Sequence, residues 1–286
     1  MSAFLTYLLS GLSVGASFAL IGAGFVVVHR VTHVVNFTQG TFAVLAGWVT
    51  ASLITNGTPH GLGELIGVIA AGAVGLGVGA VTLARRGTPP FVALLMTLGL
   101  SFLGVAVVIA LFGDHPAPSV PLVSGIADFL GVRIEWQRLL IIGVALVAFV
   151  VIALFFERTD LGRAMTAAAS NPRAARLVGI SIRRMGLASF TIGGLLGGIA
   201  GVLLAPMQQL SAYSDLGLAF SGFAAAVFGG LVSPWLTLLG GLVLGVAGSM
   251  LQGYEIGSFQ NQLSLVLMVI VMIVRAKALG RQEEAK

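Results

Sequence analysis

Phe4 to Val28 reads FLTYLLSGLSVGASFALIGAGFVVV, 25 residues without a single charge. A hydrocarbon core is crossed by roughly 20 predominantly apolar residues in a helix. No soluble helix needs so long an uncharged run, so this stretch reads as a first span. It has no basic residues ahead of it, and it is about twice the length of a signal-peptide core of 7–15 residues. It is therefore expected to be retained.

The rest of the chain repeats the pattern. Runs of similar length occur at Val34–Ile54, Leu65–Ala84, Phe91–Phe112, Leu139–Phe156 and Leu187–Met207, with a shorter one at Leu263–Val274. Between them lies a pair, Leu216–Leu231 and Leu236–Leu251, split by Ser233-Pro234. The first of that pair is short for a span, so it reads as a tilted helix or as half of a re-entrant hairpin. The expected class is all-α: a polytopic transmembrane bundle of about seven full spans plus that broken pair. One transmembrane domain, 1–286, is expected, with basic loop 157–186 on one side and loop 113–137 on the other.

Composition agrees. Of 286 residues, 57% are hydrophobic and 9% charged, and mean hydropathy is +1.05. A soluble domain carries about 25% charged residues, so a water-facing surface is excluded. Gly 40 is a high count. Gly11/Gly15, Gly75/Gly79, Gly193/Gly197/Gly201 and Gly241/Gly245 are spaced one helical turn apart, which lets backbones approach closely. The spacing fits packing within one subunit or contact between two.

Thirteen of the 15 Lys and Arg fall in one set of loops. Arg133 and Arg138 alone fall in the other set. By the positive-inside rule the N-terminus is outside and the C-terminus cytoplasmic. The net charge of +5 is then explained by topology, and nucleic acid is not an expected partner.

Much chemistry is excluded. There is no Cys, so no thiolate ligand or thiol nucleophile. The lysines Lys277 and Lys286 both follow alanine, so no Gly-Lys phosphate loop exists. His29 and His33 share a helix face, but Arg30 stands where a zincin needs Glu, and an interfacial or core role is expected instead of a metal. Ser211 has no activating His or Lys nearby in sequence, and it and Asp215 are expected in a wet outer loop. Glu64 is expected as a solvated helix start. No charge stands inside the apolar cores, so no ion-coupled pathway is visible. No catalytic residue, metal site or cofactor is expected in this chain.

Loop 157–186 carries most of the charge. Asn171-Pro172 is a helix start, Asn as cap and Pro in the first turn. Gly179 is the expected stop. Asp160 is expected to cap a second short helix through Arg163 and Ala169. The two helices read as a docking element or as an amphipathic loop on anionic lipid. In the apolar runs, Asn36, Thr38 and Gln39 stand out as pathway candidates or interhelical bonding groups. Gln208, Gln209 and Ser211 are expected at an outer end, as a gate or in headgroup water.

The stretches Arg158–Ala164, Ala167–Ile180, Phe190-Thr-Ile-Gly-Gly and Gly198–Leu204 resemble the permease subunits of branched-chain amino acid ABC importers, the LivH/LivM type. Val35-Asn-Phe-Thr-Gln-Gly-Thr-Phe, Phe223–Leu231 and Gly240–Gly245 agree, in the same order. The Asn36 block is more similar to the LivH half, although that family usually has His where Gln39 stands.

The resemblance implies an importer subunit of the bacterial inner membrane that moves a small solute, a branched-chain or other hydrophobic amino acid, by alternating access. It implies a second permease, homologous or identical, two cytosolic ATPases that bind the ATP, and an extracytoplasmic binding protein, all in membrane lipid. It also implies that Gly162, Arg163, Asn171, Pro172, Ala174, Leu177 and Gly179 couple to the ATPase. Asn36, Thr38, Gln39, Gln208 and Gln209 would lie along the pathway. The competing reading is an ATP-independent facilitator for a neutral solute such as urea or an amide.

Overall fold

The computed structural model describes residues 2–84, 88–116, 119–129 and 132–254, with helical positions 266 and 269. The expected run Leu263–Val274 therefore lies outside the described residues, apart from those two positions. Ten helices are described: α1 Ser2–Thr32, α2 Gln39–Thr55, α3 Leu62–Thr82, α4 Pro90–Phe112, α5 Trp136–Arg158, α6 Asp160–Ser170, α7 Pro172–Leu177, α8 Ile182–Gln208, α9 Ser214–Phe228 and α10 Pro234–Gly253. Among the described residues, α1, α3, α4, α5, α8 and α10 are long and apolar enough to cross a membrane. The helices α2 and α9 are apolar but shorter.

Helix α1 is the central column. Its faces are covered by α10, α8, α9, α5 and α6, and nearly all of residues 11–28 are buried. Small residues make this possible. A Cβ on Gly11 would fall 2.6 Å from Val246 Cα, and one on Gly15 would meet Leu242 Cα at 2.8 Å. Across the interface, a Cβ on Gly241 would sit 2.7 Å from the Gly15 carbonyl. The same logic joins α3 to α8, where Gly75 faces Gly194 Cα at 3.2 Å and Gly79 faces Phe190 Cβ at 2.8 Å. The glycine spacing thus serves packing inside this chain, where lipid offers no hydrophobic force to press helices together.

Four expectations need correction. Val34–Ile54 is not one continuous helix. Val34–Thr38 is non-helical but largely buried, and α2 starts only at Gln39. At 17 residues α2 is about 25 Å long, short of a core of about 30 Å. Asp160 does not cap α6: Thr159 does, its hydroxyl accepting from the Gly162 N–H at 3.0 Å, while Asp160 occupies the first helical position. Glu64 is not a solvated start. It is buried, accepts from the Gly61 N–H and lies 2.8 Å from His60 Nδ1, so its carboxylate satisfies a backbone donor at the helix start. Asp215 is not in a wet loop, as described below.

The all-α class has one small exception. Within 113–137 a two-stranded antiparallel hairpin forms, β1 Ile126–Phe129 and β2 Val132–Glu135, with Ile126 opposite Glu135. Buried Gln137 ties this loop to α8, its amide donating to the Leu203 carbonyl at 3.2 Å and accepting from the Val123 N–H at 3.3 Å.

Candidate functional site

Two places carry chemistry: the joint starts of the two short helices, and the α6–α7 hairpin.

The chain leaves α1 at Thr32 and doubles back into the bundle before α2 begins. His33 takes φ +56 at the bend. Asn36 then closes a local turn, its Oδ1 accepting from the Thr38 N–H at 3.2 Å and the Thr38 hydroxyl at 2.6 Å. This turn lets the chain start a helix in a buried place, because its own side chain satisfies backbone groups that water would otherwise meet. Such broken backbone is tolerated at membrane depth where protein surrounds it.

Gln39 opens α2, and its carboxamide fills a slot lined by glycines of α1 and α8. A Cβ on Gly24 would fall 2.7 Å from Gln39 Cδ, one on Gly193 2.7 Å from Nε2, and one on Gly197 3.1 Å from Oε1. Asn36, Thr38 and Gln39 are all buried. Asn36 Nδ2 and both polar atoms of Gln39 have no hydrogen-bond partner among the described residues. Buried polar groups are normally paired, and each exception calls for a reason.

The start of α9 meets the start of α2. A Cβ on Gly40 would collide with the Asp215 carbonyl, so the two backbones touch there. Asp215 is 2% exposed. Its Oδ2 accepts from the Ser101 hydroxyl at 2.6 Å and the Thr41 hydroxyl at 3.3 Å, and Oδ1 from the Leu216 N–H. Its burial overturns the expectation of an outer-loop acid, because the chain between α8 and α9 dips inward at buried Leu210 and Ala212. Thr41 and Ser101 were not singled out from sequence, and Asp215 was read only as a loop acid. One signal was present: Thr97 and Ser101 stand one turn apart on an otherwise apolar α4.

Gln208 and Gln209 lie apart from this cluster. Both are exposed at the end of α8, where Gln209 caps the helix in the left-handed region at φ +46. Ser211 shares a hydroxyl contact with Ser214 at 3.2 Å. His29 contacts the Leu231 carbonyl through Nδ1 at 3.3 Å and packs edge-on to His33.

The α6–α7 hairpin is built as its sequence reads. Asn171 Oδ1 accepts from the N–H groups of Arg173 and Ala174 at 3.1 and 3.0 Å, with Pro172 next. Gly179, at φ +84, ends the helix: its N–H reaches the Arg176 carbonyl, and that of Ile180 the Ala175 carbonyl. This is the glycine-terminated closure in which only a residue free to take positive φ fits.

Ala175 turns inward, whereas Ala174 is exposed, with Leu177 89% and Val178 76% exposed beside it. That apolar knob is rimmed by exposed Arg173, Arg176, Arg183 and Arg184. Gly162 has a different part. It is buried against the Phe155 carbonyl and Phe156, so it sets the α5–α6 angle and offers no outward contact. Arg163 pairs with Asp160 at 2.7 Å and lines a cavity of about 440 Å³ between α6 and the ends of α1, α5 and α10. Arg30 stacks over the Phe156 ring at 4.7 Å in that cavity.

The profile of the family described as branched-chain amino acid transport system / permease component matches residues 7–276. The chain belongs to this family. It is 27% identical to the high-affinity branched-chain amino acid transport system permease protein LivH of Escherichia coli K12, over 99% of this chain and 97% of that protein. It is 29% identical to BraD of Pseudomonas aeruginosa, a protein of the same description, over 99% of this chain and 98% of BraD. A more distant match is the L-arabinose ABC transporter permease protein AraH of Azospirillum brasilense, 30% identical over 81% of this chain and 65% of AraH. The chain is a multi-pass membrane permease subunit of an ABC importer.

Proposed function

We propose that this permease moves a branched-chain or other hydrophobic amino acid into the cytoplasm, with Asn36, Thr38 and Gln39 on the pathway. The carrying observation is the unpaired carboxamide of Gln39, held with Asn36 in a buried break of helix. Short or interrupted apolar segments in a transporter point to its binding site. The amide atoms without partners can exchange bonds with a polar solute as the helices part. LivH and BraD, both branched-chain amino acid transport permeases, favour an amino acid.

ATP is bound by two separate cytosolic ATPases, and a second permease and an extracytoplasmic binding protein complete the transporter. In this reading the α7 end lies on the cytosolic side of the bacterial inner membrane and the N-terminus outside, an orientation that the basic rim around α7 favours. The knob of Ala174, Leu177 and Val178 enters a groove of the ATPase. Asn171, Pro172 and Gly179 hold α7 rigid, Gly162 sets its angle, and Arg163 braces α6. Gln208 and Gln209 face the binding-protein side.

One experiment tests the coupling. The chain has no native Cys, so Ala174→Cys gives a single labelling site for a photo-crosslinker in inside-out membranes. Capture of an ATPase is expected, and Ala174→Glu should abolish ATP-driven uptake while the protein still inserts. Capture of lipid alone, or normal uptake by Ala174→Glu, refutes the coupling role.

A further inference from the structure

Helix α4 is the least enclosed of the long helices. Phe91, Leu95, Phe102, Leu103, Val107 and Leu111 all face outward, and its buried side chains are Ala93, Thr97, Ser101 and Val108. It packs mainly on α2 and α3. Apolar contact in lipid gives such a helix little reason to prefer one rotation or register, since the tails are as apolar as the seat.

Two hydroxyls supply the preference. Thr97 Oγ1 accepts from the Phe37 N–H at 3.2 Å, which satisfies a backbone group of the broken segment before α2. One turn on, Ser101 Oγ donates to Asp215 Oδ2 at 2.6 Å and lies 3.1 Å from Thr41 Oγ1. The Thr41 hydroxyl donates to the same carboxylate oxygen at 3.3 Å. One acid thus joins α2, α4 and α9. Among the described residues it has no cationic partner. A carboxyl so deep is costly, and intramembrane acids normally serve function.

We infer that Asp215 is a positioning residue for transport: through Ser101 and Thr41 it clamps α4 onto the starts of α2 and α9, and so fixes segment 35–41. Its effect on uptake rests on the pathway reading given above, but the clamp itself does not. The test uses a cysteine pair, Thr41→Cys with Gly104→Cys, in the complete transporter in its membrane; the pair removes the Thr41 hydroxyl from every background, so it reads the shorter Ser101–Asp215 bond, and uptake is scored relative to the reduced pair with Asp215 present. A Cβ on Gly104 lies 3.4 Å from Thr41 Cβ, close to the separation of about 3.5–4.5 Å found in disulfides. With Asp215 present the pair should oxidise readily. With Asp215→Leu, or with Ser101→Ala as the milder variant, oxidation should slow at least about tenfold, as loss of a strong hydrogen bond implies. Asp215→Asn keeps an acceptor for Ser101 and should oxidise close to the parent rate.

Uptake by the Asp215→Leu pair should be lost when reduced and regained when the disulfide restores the seat. Equal oxidation rates in all backgrounds overturn the clamp, whatever uptake does. Slowed oxidation with no regain of uptake in the oxidised Asp215→Leu form overturns the positioning role, because the carboxyl is then needed for itself.

Discussion

Replacing Gln39 by Met separates a residue kept for transport from one kept for packing. Met is close to Gln in length and shape but has no amide. In the structure Oε1 and Nε2 of Gln39 are both buried and unpaired. Each such group costs about 1–3 kcal/mol in soluble proteins, yet hydrogen bonds measured between membrane helices average only about 0.6 kcal/mol. Taking the low end for each atom, Gln39→Met should stabilise the protein by about 1–2 kcal/mol. At about 2–4 °C per kcal/mol for a domain of this order, Tm should rise by about 2–8 °C.

The glycine slot formed by Gly24, Gly193 and Gly197 accommodates the thioether without adding a Cβ to any wall. Tm is read from intrinsic fluorescence of the three Trp in detergent. Uptake is read in cells carrying the whole transporter. If the carboxamide meets the solute through one neutral hydrogen bond, uptake should fall by about 3–10-fold. A stabilised protein with impaired uptake is the expected pair of results. A lower Tm together with full uptake would refute the reasoning, since the amide would then be a satisfied structural group.

Other predictions follow from the same geometry. Asn36→Leu removes the side chain that closes the turn ahead of α2, so uptake or its selectivity should change; unaltered kinetics with a range of amino acids would leave Asn36 a packing residue. Gly201→Ala would drive a methyl into the Ala43 carbonyl, a backbone obstacle that cannot swing away, at a cost of about 3 kcal/mol or more. Membrane levels should fall sharply, whereas Gly77→Ala on the same bundle, with nothing within 4 Å of the new Cβ, should leave them unchanged. Glu64→Ala removes the acceptor for the Gly61 N–H and the contact with His60, so Tm should drop by about 2–4 °C for a loss of about 1 kcal/mol. An unchanged Tm would mean that solvent replaces both bonds at no cost.

Local rules made much of the fold legible. The Asn171-Pro172 start and the Gly179 stop were readable because caps depend on neighbours a few residues away. The cap of α6 was displaced by one residue, because Thr159 and Asp160 are both competent caps and only the chain's exit from α5 chooses between them. The glycine pairs announced close helix contacts, but which helices met was not local information. Val34–Ile54 read as one span because it carries no charge and Asn36, Thr38 and Gln39 interrupt its apolar residues only briefly. Hydropathy is blind to a break whose backbone groups are satisfied by Asn36 and by Thr97 of another helix.

The sequence by itself determined a membrane bundle, its approximate spans and the construction of α7. Each of these follows from composition or from short-range geometry. The tertiary structure alone decided which spans lie inside. Glycine-rich α1 is enclosed while the more hydropathic α5 faces outward, because a bundle interior selects small residues that pack and lipid accepts large ones. It also decided that Asp215 is buried. An acid near a helix start looks the same in sequence whether water or Ser101 of a distant helix solvates it, and only long-range packing supplies that hydroxyl.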